Sequence, residues 1–130
     1  MSLRVLVVTA AIMAAGCTVP QTQLKWQRFD LSPPPPEPMI QALLTGPPQT
    51  GGTRSGCVML KPGEAMHRHS TNSNEEVLVF LAGRARVVLG GEPVDVGEGQ
   101  VLYIPPHTEH EVHNDRSEVV RYVFTVAPVR

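Results

Sequence analysis

Beyond Gly52 the chain offers apolar runs only four to nine residues long, each closed by glycine, proline or an Asn-Asp pair, and this punctuation rules out most helical folds. The runs lie at 56–61, 76–81, 84–89, 93–96, 101–104, 110–113 and 118–126. The breaks between them are Pro62-Gly63, Gly83, Gly90-Gly91, Gly97-Glu98-Gly99, Pro105-Pro106 and Asn114-Asp115. Globular helices need more length than this, whereas short Val- and Leu-rich runs between regular turn signals suit a jelly-roll or closed barrel. Gly90-Gly91 predicts a two-residue hairpin, since glycine takes the positive φ that both central positions require. The expected fold class is therefore all-β. With 130 residues, 11 basic and 12 acidic groups, the chain has room for one domain and an appendage. No basic run is present and aromatics are 5% of the chain, which argues against a nucleic-acid partner.

All five histidines fall between His67 and His113. Four belong to two short segments, Gly63-Glu64-Ala65-Met66-His67-Arg68-His69 and Pro105-Pro106-His107-Thr108-Glu109-His110, and Glu75-Glu76 opens the apolar run between them. Strand side chains alternate faces, so His67 and His69 are expected to point one way, as are Glu76, Leu78 and Phe80, and likewise His110, Val112 and Asn114. His67, His69, Glu76 and His110 could then converge inside a small barrel. Neutral imidazoles with one carboxylate suit a divalent first-row metal, and Fe, Mn, Ni, Cu and Zn all accept that set. Fewer than six protein ligands leave coordination positions for water, oxygen or substrate. His107 reads as a turn residue, with a place at the pocket mouth as the alternative. His113 falls on the face opposite His110, Glu75 reads as a surface charge, and Asn114 as a turn-closing residue.

These segments resemble the two motifs of the cupin superfamily, whose fold is a double-stranded β-helix. Gly99, Pro105, His110 and Asn114 match the second motif at full spacing, with His107 where the family has an inner glycine. That position calls for a left-handed backbone, which histidine tolerates better than most residues. The first motif departs more. Three residues separate Gly63 from His67 where the family has five, and the stretch from Ser70 to Glu75 is longer than usual, so a ligand set without His67 is the alternative. The resemblance covers residues 55–128 and implies a cupin barrel over 54–130 that binds one metal and a small-molecule ligand or substrate. Two function classes stay open: a metal-dependent enzyme such as a dioxygenase, isomerase or decarboxylase, and a metal- or ligand-holding sensor without turnover. No catalytic residue is assigned beyond the metal set.

The first 53 residues have a different character. A short positive start, an apolar run over 5–15 and Ala14-Ala15-Gly16-Cys17 read as a signal peptide over 1–17. The run is too short for a permanent transmembrane helix, which takes about 20 residues. Its ending resembles a bacterial lipoprotein signal, so a lipidated Cys17 would be the only membrane link of a protein on the periplasmic side of the envelope. Secretion, or a cytoplasmic protein starting at Met39, are the alternatives. Residues 18–53 read as a Pro/Gly-rich, irregular tether in which 25–31 or 39–44 could add a strand to the barrel. If Cys17 carries lipid, Cys57 has no disulfide partner and reads as a buried thiol. Finally, if Glu76 and Leu78 face inward, Val77, Val79 and Leu81 face outward and need a cover. Either the 24–44 segment or a second copy of the chain, as a homodimer, would supply it.

Overall fold

In the computed structural model, residues 24–31 and 39–129 are described. The signal-peptide reading, with Cys17, lies outside the described residues. Nine strands follow one another: β1 Ile40–Thr45, β2 Arg54–Leu60, β3 Ala65–Ser70, β4 Asn74–Ala82, β5 Arg84–Leu89, β6 Glu92–Gly97, β7 Val101–Ile104, β8 Glu109–His113 and β9 Val120–Pro128. They form two antiparallel sheets, a five-stranded one in the order β1-β2-β9-β4-β7 and a four-stranded one in the order β3-β8-β5-β6. This is the all-β fold that the turn spacing predicts, in the double-stranded β-helix arrangement that the cupin resemblance implies.

Each strand's alternation fixes which side chains meet between the sheets. Val58 and Leu60 of β2, Leu78 and Phe80 of β4, Ala85 and Val87 of β5, Val112 of β8 and Val120 and Tyr122 of β9 make one core cluster. The hairpin at Gly90-Gly91 joins Leu89 to Glu92 as register partners, and both glycines have positive φ, 55° and 91°. The β4–β5 corner is tighter. Gly83 has φ 70°, and a Cβ there would lie 2.3 Å from the Val119 carbonyl oxygen, so no larger residue fits.

Segment 39–44 falls largely in β1, Ile40–Thr45, the edge strand paired to β2, with a register shift between Ala42 and Leu44. Residues 24–31 contain no strand. They lie against the outer side of the five-stranded sheet: Arg121, register partner of Met59, donates to the Leu31 carbonyl, and Gln49 donates to the Gln27 side chain. The outward Ser55, Cys57 and Met59 of β2 are buried as well, and Cys57 is a free thiol. The β4–β7 half of the same face is open, with Val79, Leu81, Val101 and Tyr103 exposed.

Candidate metal centre

β8 supplies the best-fixed ligand. His110, Val112 and Asn114 alternate with outward residues and are 2%, 1% and 0% exposed. Asn114 does more than close a turn. Its Nδ2 donates to the carbonyls of Leu60 and Glu118, and its Oδ1 accepts the Arg116 N–H, so the end of β8 is tied to the end of β2 and the approach to β9. The turn before β8 is held as firmly: His107 has φ 56°, the left-handed value its motif position calls for, and its N–H donates to the Asn72 carbonyl.

Glu76 enters from β4, between Ile104 of β7 and Val126 of β9, and is 6% exposed. A buried carboxylate needs a partner. It has one in His110, whose Nε2 lies 3.1 Å from Glu76 Oε2. Burial pulls the His110 pKa down, but the Glu76 hydrogen bond, its charge and the Thr108 carbonyl together lift it above the ordinary histidine value.

His69 completes the group from β3, the edge strand of the smaller sheet. It pairs with His110 in register, and the two rings stand 4.2 Å apart between centroids. The ligand atoms of His69, Glu76 and His110 all lie within 4.8 Å of one another. His69 itself is exposed.

His67 is not brought into this group, and the reason is a bulge. Met66 pairs with Val112 and His69 with His110, so His67 and Arg68 together stand opposite Glu111 alone. The extra residue breaks the alternation that would place His67 and His69 on one face. Met66 and His69 line the cavity instead, and His67 is exposed. What His67 contributes is its carbonyl oxygen, 2.8 Å from His69 Nδ1.

The bulge and longer strands also absorb the extra residues of the first motif. β3 runs to Ser70 and β4 starts at Asn74, leaving only Thr71, Asn72 and Ser73 to make the turn. Thr71 is its anchor. Its hydroxyl donates to the Pro105 carbonyl and accepts the Thr108 N–H, and its own N–H donates to the Thr108 carbonyl. The loop bearing His69 is thereby stitched to the loop bearing His110.

The donor set fits a metal. Each histidine directs Nδ1 to the carbonyl two residues before it, His67 for His69 and Thr108 for His110. A carbonyl on Nδ1 keeps a proton there, so that a metal could take Nε2 once it is deprotonated, the usual outer-shell arrangement of metal-bound imidazoles; without metal, His110 Nε2 meets Glu76 instead. Adjacent ligands at roughly 2.0–2.2 Å from one ion stand about 3 Å apart, the separation seen between His110 and Glu76.

The group lies in a cavity of about 180 Å³ whose walls include Val58, Met66, Leu78, Val112 and Phe124. Two ionisable residues that the motifs do not contain also line it, Arg54 and Tyr122. Burial, then the charge of Glu76, raises the Tyr122 phenol pKa, so it stays neutral. Both were hard to find in the sequence. β2 is apolar on both faces and hides the phase that puts Arg54 inward with Val58, and Tyr122 looks like any core aromatic beside Phe80, 5.1 Å away between ring centroids.

The cupin domain family matches residues 56–126, more than half of the chain. The chain belongs to the cupin family. An RmlC-like cupin from Methanocaldococcus jannaschii superposes with a TM-score of 0.66 at 21% identity, over 80% of this chain and 90% of that one. The tetracenomycin polyketide synthase protein TcmJ of Streptomyces glaucescens is 29% identical over 91 residues, 68% of this cupin and 60% of TcmJ. The uncharacterized protein MJ1618 of M. jannaschii is 39% identical over 49 residues, 38% of each chain. This cupin thus spans less than two thirds of the length of either relative.

Proposed function

We propose that this cupin binds one divalent first-row metal through His69, Glu76 and His110 and uses it to act on a small organic molecule held in the cavity. The observation that carries the reading is the convergence of one ligand atom each from His69, Glu76 and His110 to within 4.8 Å of one another, with Glu76 and His110 buried. Three protein ligands leave coordination positions open. The metal, when bound, supplies Lewis-acid polarisation of a ligand oxygen or a site for oxygen activation. The chain's own residues orient the imidazoles, exclude water with the Val58, Leu78 and Val112 walls, and offer a neutral phenol at Tyr122. The similarity to TcmJ, a tetracenomycin polyketide synthase protein, supports a small organic ligand.

The test is metal analysis of protein purified without chelators, followed by an oxygen-uptake screen with small aromatic and aliphatic acids. One equivalent of metal in the wild type and none in His110→Ala is the expected result. Full retention of metal by the variant would refute the site. Oxygen uptake supports the dioxygenase branch; tight ligand binding without turnover supports the holding and sensing branch.

The proposal extends to location and assembly. The apolar run over 5–15 and Cys17 support a lipid-anchored envelope protein, tested by membrane partition of the wild type against Cys17→Ser. The open Val79, Leu81, Val101 and Tyr103 strip supports a homodimer through the β4–β7 face. Val101→Arg should leave a folded monomer, and an unchanged sedimentation profile would count against that interface.

A further inference from the structure

One row of residues crosses the inner face of the five-stranded sheet at the level of the carboxylate ligand. Arg54 of β2 pairs with Val126 of β9, and Val126 pairs with Glu76 of β4. Two strand spacings separate Arg54 from Glu76, about 10 Å between backbones. Arg54 stands at the cavity mouth and lines the same space as the histidines and Glu76. Among the described residues no carboxylate pairs with it, although the arginines at 28, 68, 86 and 116 each have one.

The wall between the two ends is apolar and built for close contact. Phe124 lies across Gly56: a Cβ at that glycine would sit 2.7 Å from the ring, so only glycine lets the ring lie down against β2. The charge count then decides the ligand. Glu76 and Arg54 cancel, and the other ionisable lining groups are two imidazoles and a neutral phenol. A bound dication leaves the cavity with a net charge of about +2, although the chain as a whole carries −1.

We propose that the ligand is a small organic carboxylate, its carboxylate held by Arg54 at the mouth, its apolar body on Phe124, and an oxygen donor at its far end directed to His69, Glu76 and His110. This rests on the metal reading above. Guanidinium takes carboxylate in a two-point fork. A single arginine suits a carboxylate, which it meets in a planar two-point fork, better than a phosphate, which is commonly held by a cluster of backbone N–H groups.

The experiment uses the full chain loaded with cobalt(II), titrated with 4-hydroxybenzoate and with its neutral counterpart 4-hydroxybenzamide, by calorimetry and by the cobalt visible absorption. The acid should bind roughly tenfold or more tightly than the amide, as a charge-assisted hydrogen bond implies. Arg54→Gln should erase that preference while holding one cobalt per chain with an unchanged spectrum, and Arg54→Lys should keep part of it. Equal affinities in the wild type, absence of acid binding to the cobalt-loaded protein, or a preference that survives Arg54→Gln would each overturn the proposal with the metal reading intact. Failure of the wild type to take up cobalt would be the separate failure of the metal reading, and would remove the far anchor of the ligand with it.

Discussion

The two strands that carry the histidines are neighbours in one sheet, yet they hold their ligands in opposite ways. β8 is an interior strand with unbroken alternation; His110 is buried and pairs with Glu76, and the strand's end is stapled to β2 by Asn114. β3 is the edge strand, bulged at His67 and Arg68, and its histidine is exposed. Both imidazoles nevertheless receive the same orienting contact, a carbonyl two residues upstream on Nδ1. The comparison teaches that tautomer and aim are set locally by the backbone, while rigidity is set by the strand's place in the sheet. His110 is part of the fold as well as of the site; His69 belongs to the site alone.

The sharpest way to break that contrast is to remove each ring. His110→Ala leaves the Glu76 carboxylate buried without a partner and opens a void, so the metal-free protein should lose on the order of 3 kcal/mol, read by urea unfolding. Its metal affinity should fall by more than the roughly 10–100-fold typical of outer-shell changes. His69→Ala should also lose metal but leave the stability of the metal-free chain within about 0.5 kcal/mol, as exposed substitutions do. Equal destabilisation by the two variants would contradict the division.

The staple behind His110 comes next. Asn114→Ala orphans the carbonyls of Leu60 and Glu118 in a buried corner, at a cost of about 2 kcal/mol. The effect should appear as a lowered Tm with metal stoichiometry unchanged, because no atom of Asn114 belongs to the ligand group.

A smaller effect concerns pH. The His110 pKa is raised in the folded, metal-free protein, so the protonated ring favours the folded state. That contribution is complete below the unfolded value, about 6.5, and is lost as pH rises through the folded pKa. The stability gap between wild type and His110→Gln should therefore narrow from pH 6 to pH 8 in chelator. Metal reverses the slope, since it needs the unprotonated Nε2, and acidification through the same pKa should release it.

The same contrast explains what could be read from the residues in advance. The regular stretches were legible: the second motif, the inward Glu76, Leu78 and Phe80, the outward Val79, and the Gly90-Gly91 hairpin all follow from a period of two and from glycine's backbone freedom. His67 was not, because a bulge leaves no mark in an exposed stretch with few apolar residues to reveal the change of phase. Arg54 was hidden for the converse reason: Ser55 to Leu60 are buried on both faces of the strand, so β2 shows no alternation from which an inward face could be chosen. Thr71 acts through hydrogen bonds to residues 34 and 37 positions away, a contact that only the closed barrel creates.

The proposed metal site is made of His69, Glu76 and His110, with His67 supplying only a backbone carbonyl. Metal content by mass spectrometry, on His67→Ala and His110→Ala purified side by side without chelators, tests it most directly. One equivalent of metal is expected in His67→Ala, as in the wild type, and none in His110→Ala. Loss of metal from a folded His67→Ala variant to the same degree would contradict it, and would mean that the bulge straightens to bring the fourth ligand in.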